Sequence, residues 1–191
     1  MKHADRKQIT REALIAAATA EIFEKGISGA SLRHITERAG YTQGAFYSSF
    51  STRNALLEAV FEKLMLARLD QLKTILFGED QLETILDRLG IWLKSIQDDR
   101  AATLVMLEFQ VHALRDAEFA TTYNQWRTAQ HALIADAINA IQEQHGVDTK
   151  LPSMLMSLGF SALWSGFALQ GQVPEGVDAE VLIRAFMRAL I

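Results

Sequence analysis

The chain has no cysteine and only 2 prolines in 191 residues. The first absence removes disulfide frameworks, thiolate zinc sites, iron–sulfur clusters and cysteine nucleophiles. The second leaves long stretches free of the residue that breaks helices most strongly. No apolar run approaches the roughly 18 residues a membrane span requires, so no membrane partner is expected. Met1 to Arg6 is polar and charged, with no apolar leader, and the expected location is the cytoplasm. Alternating β-branched runs bounded by turns are missing too, and with them the signal for a sheet. Disorder is excluded by a hydrophobic content of 49% with 22% charged residues.

Helix signals fill what remains. Thr10 to Lys25 carries Leu14, Ala17, Ala18 and Ile22 at helical spacing, with Thr10 expected as the N-cap and Gly26 as the stop. Ser31 opens a short second helix with Leu32, Ile35 and Ala39 on one face and Gly40 at its end. Thr42 opens a third, in which Ala45, Phe46 and Phe50 share a face. A long amphipathic helix is expected from Arg53 to Phe77, and others from Asp80, over 101–114, 117–145 and 153–170, and from Asp178 to Ile191. The fold class is therefore all-α with about nine helices: an N-terminal three-helix domain, 1–52, and a C-terminal helical domain, 53–191.

The net charge of −4 is unevenly divided. Residues 1–57 hold 8 Lys plus Arg against 5 Asp plus Glu, net +3, while residues 58–191 hold 11 against 18, net −7. A basic head on an acidic body points to a polyanion that meets only the head.

Ser31 to Phe50 is short helix, tight turn with glycine, short helix. A helix-turn-helix needs this arrangement, because its second helix must project steeply to enter a major groove; the alternative is a helical hairpin in an ordinary bundle. The third helix offers Thr42, Gln43, Gly44, Tyr47 and Ser48, small or hydrogen-bonding, and no charge before Arg53. A merely solvated face would be rich in Glu and Lys. Gln43 has an amide suited to a base edge, Thr42 and Ser48 have hydroxyls suited to phosphate, and Gly44 lets a backbone approach closely.

The string SLRHITERAGYTQGAFYSSFSTRNALL, Ser31 to Leu57, resembles the head of the TetR family of transcriptional regulators. The resemblance lies in the Ser cap, the Ile and Ala core positions, Ala39–Gly40, Thr42, Gly44, Phe46–Tyr47, Phe50, the basic residue at Arg53 and Leu56–Leu57. It implies that Thr42–Phe50 is the recognition helix, with Gln43 and Ala45 facing bases and Thr42, Tyr47 and Ser48 near the DNA backbone. Arg53 would hold a phosphate, Arg33 a second, and Ser31 would lie in the same interface. The chain departs from the pattern at Ser51, where many relatives have Lys, at Arg53, more often Lys, and at Ile22, usually aromatic. LEFQVHALRDAEF, Leu107 to Phe119, is similar to a string common in the family's ligand domains.

One recognition helix covers only about 4 to 5 base pairs, so two heads are expected on a double-stranded DNA operator. Leu155, Gly159, Ala162 and Gly166 form a stripe suited to close helix contact, and Ile183, Phe186 and Met187 on the final helix extend it into a homodimer surface; the alternative is that the stripe packs within the chain. Between head and stripe, Trp92, Met106, Phe109, His112, Tyr123, Trp126 and Trp164 are the candidate lining of a pocket for a small-molecule effector, although most large residues there must be core. Glu108, Gln130 and His131 add polar groups that need partners. The expected activity is that of a repressor, released from a palindromic operator when an effector tilts the long helix; a ligand-activated or ligand-independent regulator is the alternative. No metal or cofactor is expected. A carboxylate-bridged metal enzyme needs Glu-x-x-His pairs on two helices, and the chain has none. A helical adaptor for protein partners is the remaining rival.

Overall fold

The computed structural model describes residues 3–77 and 81–170, together with Val181, Ala185 and Arg188. The described residues are helical with no strand. The helices are α1 (His3–Gly29), α2 (Leu32–Ala39), α3 (Gln43–Ser49), α4 (Arg53–Leu76), α5 (Leu82–Asp98), α6 (Arg100–Arg115), α7 (Ala117–His145) and α8 (Ser153–Gln170). The all-α expectation holds. The final helix expected from Asp178 to Ile191 lies outside the described residues apart from the helical Val181, Ala185 and Arg188.

One boundary needs correction. Thr10 does not cap α1, which begins at His3. The Thr10 hydroxyl instead donates to the Arg6 carbonyl one turn back, 2.9 Å away, and Gln8 bonds Glu12 at 2.8 Å on the same helix. Both are contacts between residues four apart, the spacing that brings side chains together on a helix already under way. At the other end Gly26 does interrupt the helix, with φ 73° and ψ 169°, before one last turn through Gly29.

The chain forms two compact units. The first comprises residues 1–67 and 104–124. Leu14, Ala18, Ile22, Ile35, Phe46, Phe50, Leu56 and Val60 are buried in it, so the apolar spacing of the four N-terminal helices converges as expected. Alongside these, Phe61 of α4 meets Phe109 of α6 at 5.3 Å and Tyr123 of α7 at 5.2 Å between ring centroids, and Phe109 stacks on Phe119 at 5.8 Å. These are ordinary separations for rings packed as core.

The second unit comprises residues 68–103 and 125–191. Its centre is Leu72, Leu76, Ile85, Leu89, Leu93 and Ala137, with Trp92, Phe160, Leu163 and Trp164 packed against it. His131 and Ser157 are a buried polar pair, Nδ1 to Oγ 3.0 Å. The His131 pKa lies below its ordinary value, first because burial disfavours the imidazolium and second because of the Arg127 charge. Phe77, just beyond the end of α4, is half exposed.

Candidate nucleic-acid interface

The turn between α2 and α3 is built by local chemistry. Ser31 caps α2 by accepting the His34 N–H at 3.2 Å. At its far end Gly40 takes φ 74° and ψ 26°, its N–H bonding the Glu37 carbonyl at 3.2 Å while the Tyr41 N–H reaches back to Thr36 at 3.0 Å. That is a Schellman closure, and the left-handed residue it needs is one glycine adopts without a Cβ penalty. Thr42 then caps α3 by accepting the Ala45 N–H at 3.2 Å. An accepting oxygen leaves the hydroxyl proton of Thr42 free to donate outward.

α3 shows a sharp division between faces. Phe46 is fully buried, and Phe50 beyond it is stacked on Phe46 at 5.7 Å. Thr42, Gln43, Gly44, Tyr47 and Ser48 are exposed, and Ala45 is half-buried. Tyr47 stands 61% exposed with only its edge on Phe46, so a large aromatic is left in water beside an amide and a glycine. The nearest atom to a Cβ built on Gly44 is Thr42 Oγ1, at 3.7 Å, so nothing inside the protein requires glycine there. The Ser48 hydroxyl donates to the Ala45 carbonyl at 2.7 Å. α3 itself carries no charged side chain.

Cations surround the motif, yet several are already engaged. Arg33 is exposed and pairs with Glu37 at 2.8 Å. Arg38 is more committed than a solvated charge: its guanidinium bonds both Glu24 carboxylate oxygens at 2.8 Å and reaches Glu21 at 3.1 Å. The bond from Arg38 holds the Glu24 carboxyl below its ordinary pKa. Glu21, only 3% exposed, also takes Lys25 at 2.8 Å and has the His34 ring at 3.9 Å, so α1 and α2 are tied by one buried carboxylate that two cations, Arg38 and Lys25, compensate. Arg11 lies over the Phe50 ring at 4.3 Å and donates to the Ser49 carbonyl at 3.3 Å, satisfying an end group of α3.

The base of the motif is anchored by three residues that local patterning does not reveal. Arg53 Nη2 donates to the Ile27 carbonyl and, at 3.4 Å, to that of Ala30, so this guanidinium faces the α1–α2 turn. Partial burial lowers its pKa from the ordinary value. The Ile27 N–H in turn donates to Glu108 Oε2 of α6 at 2.5 Å. Glu108 lies so close that a Cβ on Gly26 would meet its carboxylate at 2.6 Å, which with the positive φ makes glycine necessary twice over. Asn54 donates to Asp116 at 2.9 Å and to Glu118 at 3.3 Å, with His112 Nε2 at 3.4 Å from its oxygen. Asp116 sits below the usual carboxylate range, chiefly through the Phe119 N–H it accepts at 2.9 Å and next through Asn54. The polar Glu108 and His112 thus find partners in the protein.

Met106, Phe109, His112 and Tyr123 belong to the first unit and Trp92, Trp126 and Trp164 to the second. Phe109 is fully buried among rings, His112 touches Phe119 at 4.9 Å, and Trp92 Nε1 donates to Gln71 at 3.0 Å. The second unit holds a cavity of its own, lined by α4, α5, α7, α8 and the 147–149 segment, and none of the seven borders it. On α8, Leu155 and Ala162 are exposed, Gly159 and Gly166 are half-buried, and a Cβ on Gly166 would meet open space. Ile183, Phe186 and Met187 lie outside the described residues.

Comparison with known proteins agrees with the head and extends to the body. Residues 14–60 match the family described as bacterial regulatory proteins, tetR family, and residues 79–191 match the C-terminal region described as BetI-type transcriptional repressor. The chain is 32% identical over 141 residues to the uncharacterized HTH-type transcriptional regulator YvdT of Bacillus subtilis, covering 73% of this chain and 72% of that protein. Among solved structures it is similar to Escherichia coli NemR in its reduced form, TM-score 0.76 at 19% identity over 95% of this chain and 96% of that one. It is similar also to Salmonella enterica GusR, TM-score 0.74 at 17% identity over 95% and 94%. At those identities the solved structures speak for the fold alone, while the family matches and the Bacillus relative identify regulators of transcription, not enzymes. The chain belongs to the TetR family of transcriptional regulators.

Proposed function

We propose that the protein is a repressor that binds a palindromic operator as a homodimer and leaves it when a small molecule occupies the C-terminal domain. In this reading residues 1–52 bind DNA and residues 53–191 bind ligand and partner. The observation that carries it is the outer face of α3, where Gln43, Gly44 and Tyr47 are exposed beside a capped helix start and no side chain is charged. Such a face lacks the charges that solvate an ordinary helix and has the groups that read base edges and contact phosphates. Gln43 and Ala45 meet bases, Thr42, Tyr47 and Ser48 the strand backbone, and Ser31 and Arg33 flank them. Arg53, its Nη2 bonded to the turn carbonyls, acts on DNA chiefly by holding that turn.

The homodimer reading draws on α8, whose Met154, Leu155, Leu158 and Leu169 are all exposed. A helix face this apolar is a candidate interface, and small residues at Gly159, Ala162 and Gly166 would let two such helices approach. Two heads must fit half-sites one DNA turn apart, about 34 Å. An effector that prefers a DNA-incompatible arrangement by about 3 kcal/mol would lower operator occupancy about a hundredfold.

Selection of bound fragments from random DNA tests the reading. A palindrome with half-sites spaced by about one turn is expected, and binding lost on Gln43→Ala with Tyr47→Ala. Enrichment of no sequence above background would contradict it.

A further inference from the structure

The cavity in the second unit has a chemistry of its own. It measures about 60 Å³. The walls include Leu72 and Leu76 of α4, Ile85 and Leu89 of α5, Ile138 of α7 and Phe160 of α8, and among the described residues no ionisable side chain lines it. Among the described lining residues only Gln142 and Thr149 carry side-chain polar groups. These are largely occupied: Gln142 Nε2 donates to Thr149 Oγ1 at 2.6 Å, Thr149 Oγ1 donates to the Leu151 carbonyl at 2.9 Å, and Ser153 donates to Gln142 Oε1 at 3.4 Å. What they leave for a guest is the second amide N–H of Gln142 and one lone pair each of Gln142 Oε1 and Thr149 Oγ1.

Those facts constrain an occupant. A space of this size exceeds the roughly 10–15 Å³ that one water needs, but water requires two to four polar partners, and the described wall offers such groups at one end alone, at Gln142 and Thr149. A cation would lose its hydration with no carboxylate to replace it and a single aromatic ring, Phe160, in reach; an anion would meet no basic group. In the first unit the aromatic residues Phe61, Phe109, Phe119 and Tyr123 pack on one another instead.

We propose that this recess is the effector site and that the effector is an uncharged, largely hydrocarbon molecule with one small hydrogen-bonding group directed at Gln142 and Thr149. The inference rests on the regulator reading for the word effector; the binding itself does not depend on it. Hydrocarbon contact then sets affinity: each methylene placed in the recess tightens binding about fourfold until the space is full.

The test uses the full-length chain and three homologous series, linear 1-alkanols from butanol to decanol, and alkyl carboxylates and alkyltrimethylammonium ions of the same lengths, by titration calorimetry near pH 7.5. Alkanols are expected to bind with affinity rising about fourfold per carbon and to reach a length limit, with both charged series at least a hundredfold weaker. Ile138→Phe should shorten that limit and Phe160→Ala lengthen it; because the two act in opposite directions, loss of folding in one does not imitate the pair. Saturable binding of a charged series as tight as the alkanols, no alkanol binding, or a limit unmoved in both folded variants would overturn the proposal. Operator retention is measured separately on the same preparations. Specific DNA binding that the saturating alkanol leaves unchanged would overturn the effector role alone, whereas absence of specific DNA binding would overturn the regulator reading and leave the calorimetry standing.

Discussion

Gly26→Ala attacks the point where α6 grips the end of α1. Two costs follow from the geometry. A backbone at φ 73° and ψ 169° is a region open essentially to glycine, and forcing alanine into it costs about 1–3 kcal/mol. The new methyl would also meet the Glu108 carboxylate at 2.6 Å and displace it from the Ile27 N–H, forfeiting a charge-assisted hydrogen bond of about 1.5–3 kcal/mol. The single variant should therefore lose about 2.5–6 kcal/mol. Glu108→Ala alone should lose only the second part. In the double variant the carboxylate is already gone, so its loss should equal that of Gly26→Ala and fall short of the sum by about 1.5–3 kcal/mol. Urea denaturation at one fixed protomer concentration measures all three, since any dimer makes the midpoint concentration-dependent. A double variant additive within about 0.5 kcal/mol, or a Gly26→Ala loss below about 1 kcal/mol, would refute the reasoning.

Other consequences are equally open to measurement. Gly44→Ala meets no atom inside the protein closer than 3.7 Å and improves helix propensity, so thermal stability should hold or rise while operator affinity falls tenfold or more, as read by fluorescence anisotropy; undiminished affinity would deny close approach there. Because the folded His131 pKa is depressed, both states are neutral above about pH 6.5 and the residue then costs nothing; as pH falls below that value the unfolded chain takes the proton first and stability drops. His131→Gln should flatten the loss between pH 7 and 5 in denaturant titrations, and an identical slope would count against it. Leu158→Glu on the exposed α8 stripe should convert dimer to monomer by sedimentation while leaving helicity unchanged, and a persistent dimer would move the interface elsewhere.

Legibility in the sequence followed the range of the interactions. The cap at Ser31, the closure at Gly40 and the cap at Thr42 each depend on residues three to five apart, and all three stand in the structure where their residue types indicate. The buried faces of α1 to α4 likewise follow from helical spacing. Contacts between distant residues are another matter. Nothing near Glu108 shows that its partner is the Ile27 amide 81 positions away, and nothing near Arg53 shows that its guanidinium turns to carbonyls of the α1–α2 turn. Arg38 reads as a solvated charge until the helix crossing sets it against Glu24 and Glu21. Aromatic content is similarly ambiguous: Phe109 and Tyr123 suit a pocket wall, and tertiary packing uses them to fill space, while the open cavity falls among aliphatic residues whose spacing signals only core. Thr10 is the converse case, a good cap residue overridden because the helix had already begun.

The central claim is that two copies of α3 read one DNA duplex in a sequence-dependent way. Sedimentation of the full-length protein with the duplex recovered by selection, and with a scrambled duplex of equal length and composition, measures this directly. Two protomers per selected duplex, with at least a thousandfold preference over the scrambled one at equal salt, is the expected result. A single protomer bound, or equal affinity for both duplexes, would contradict the account.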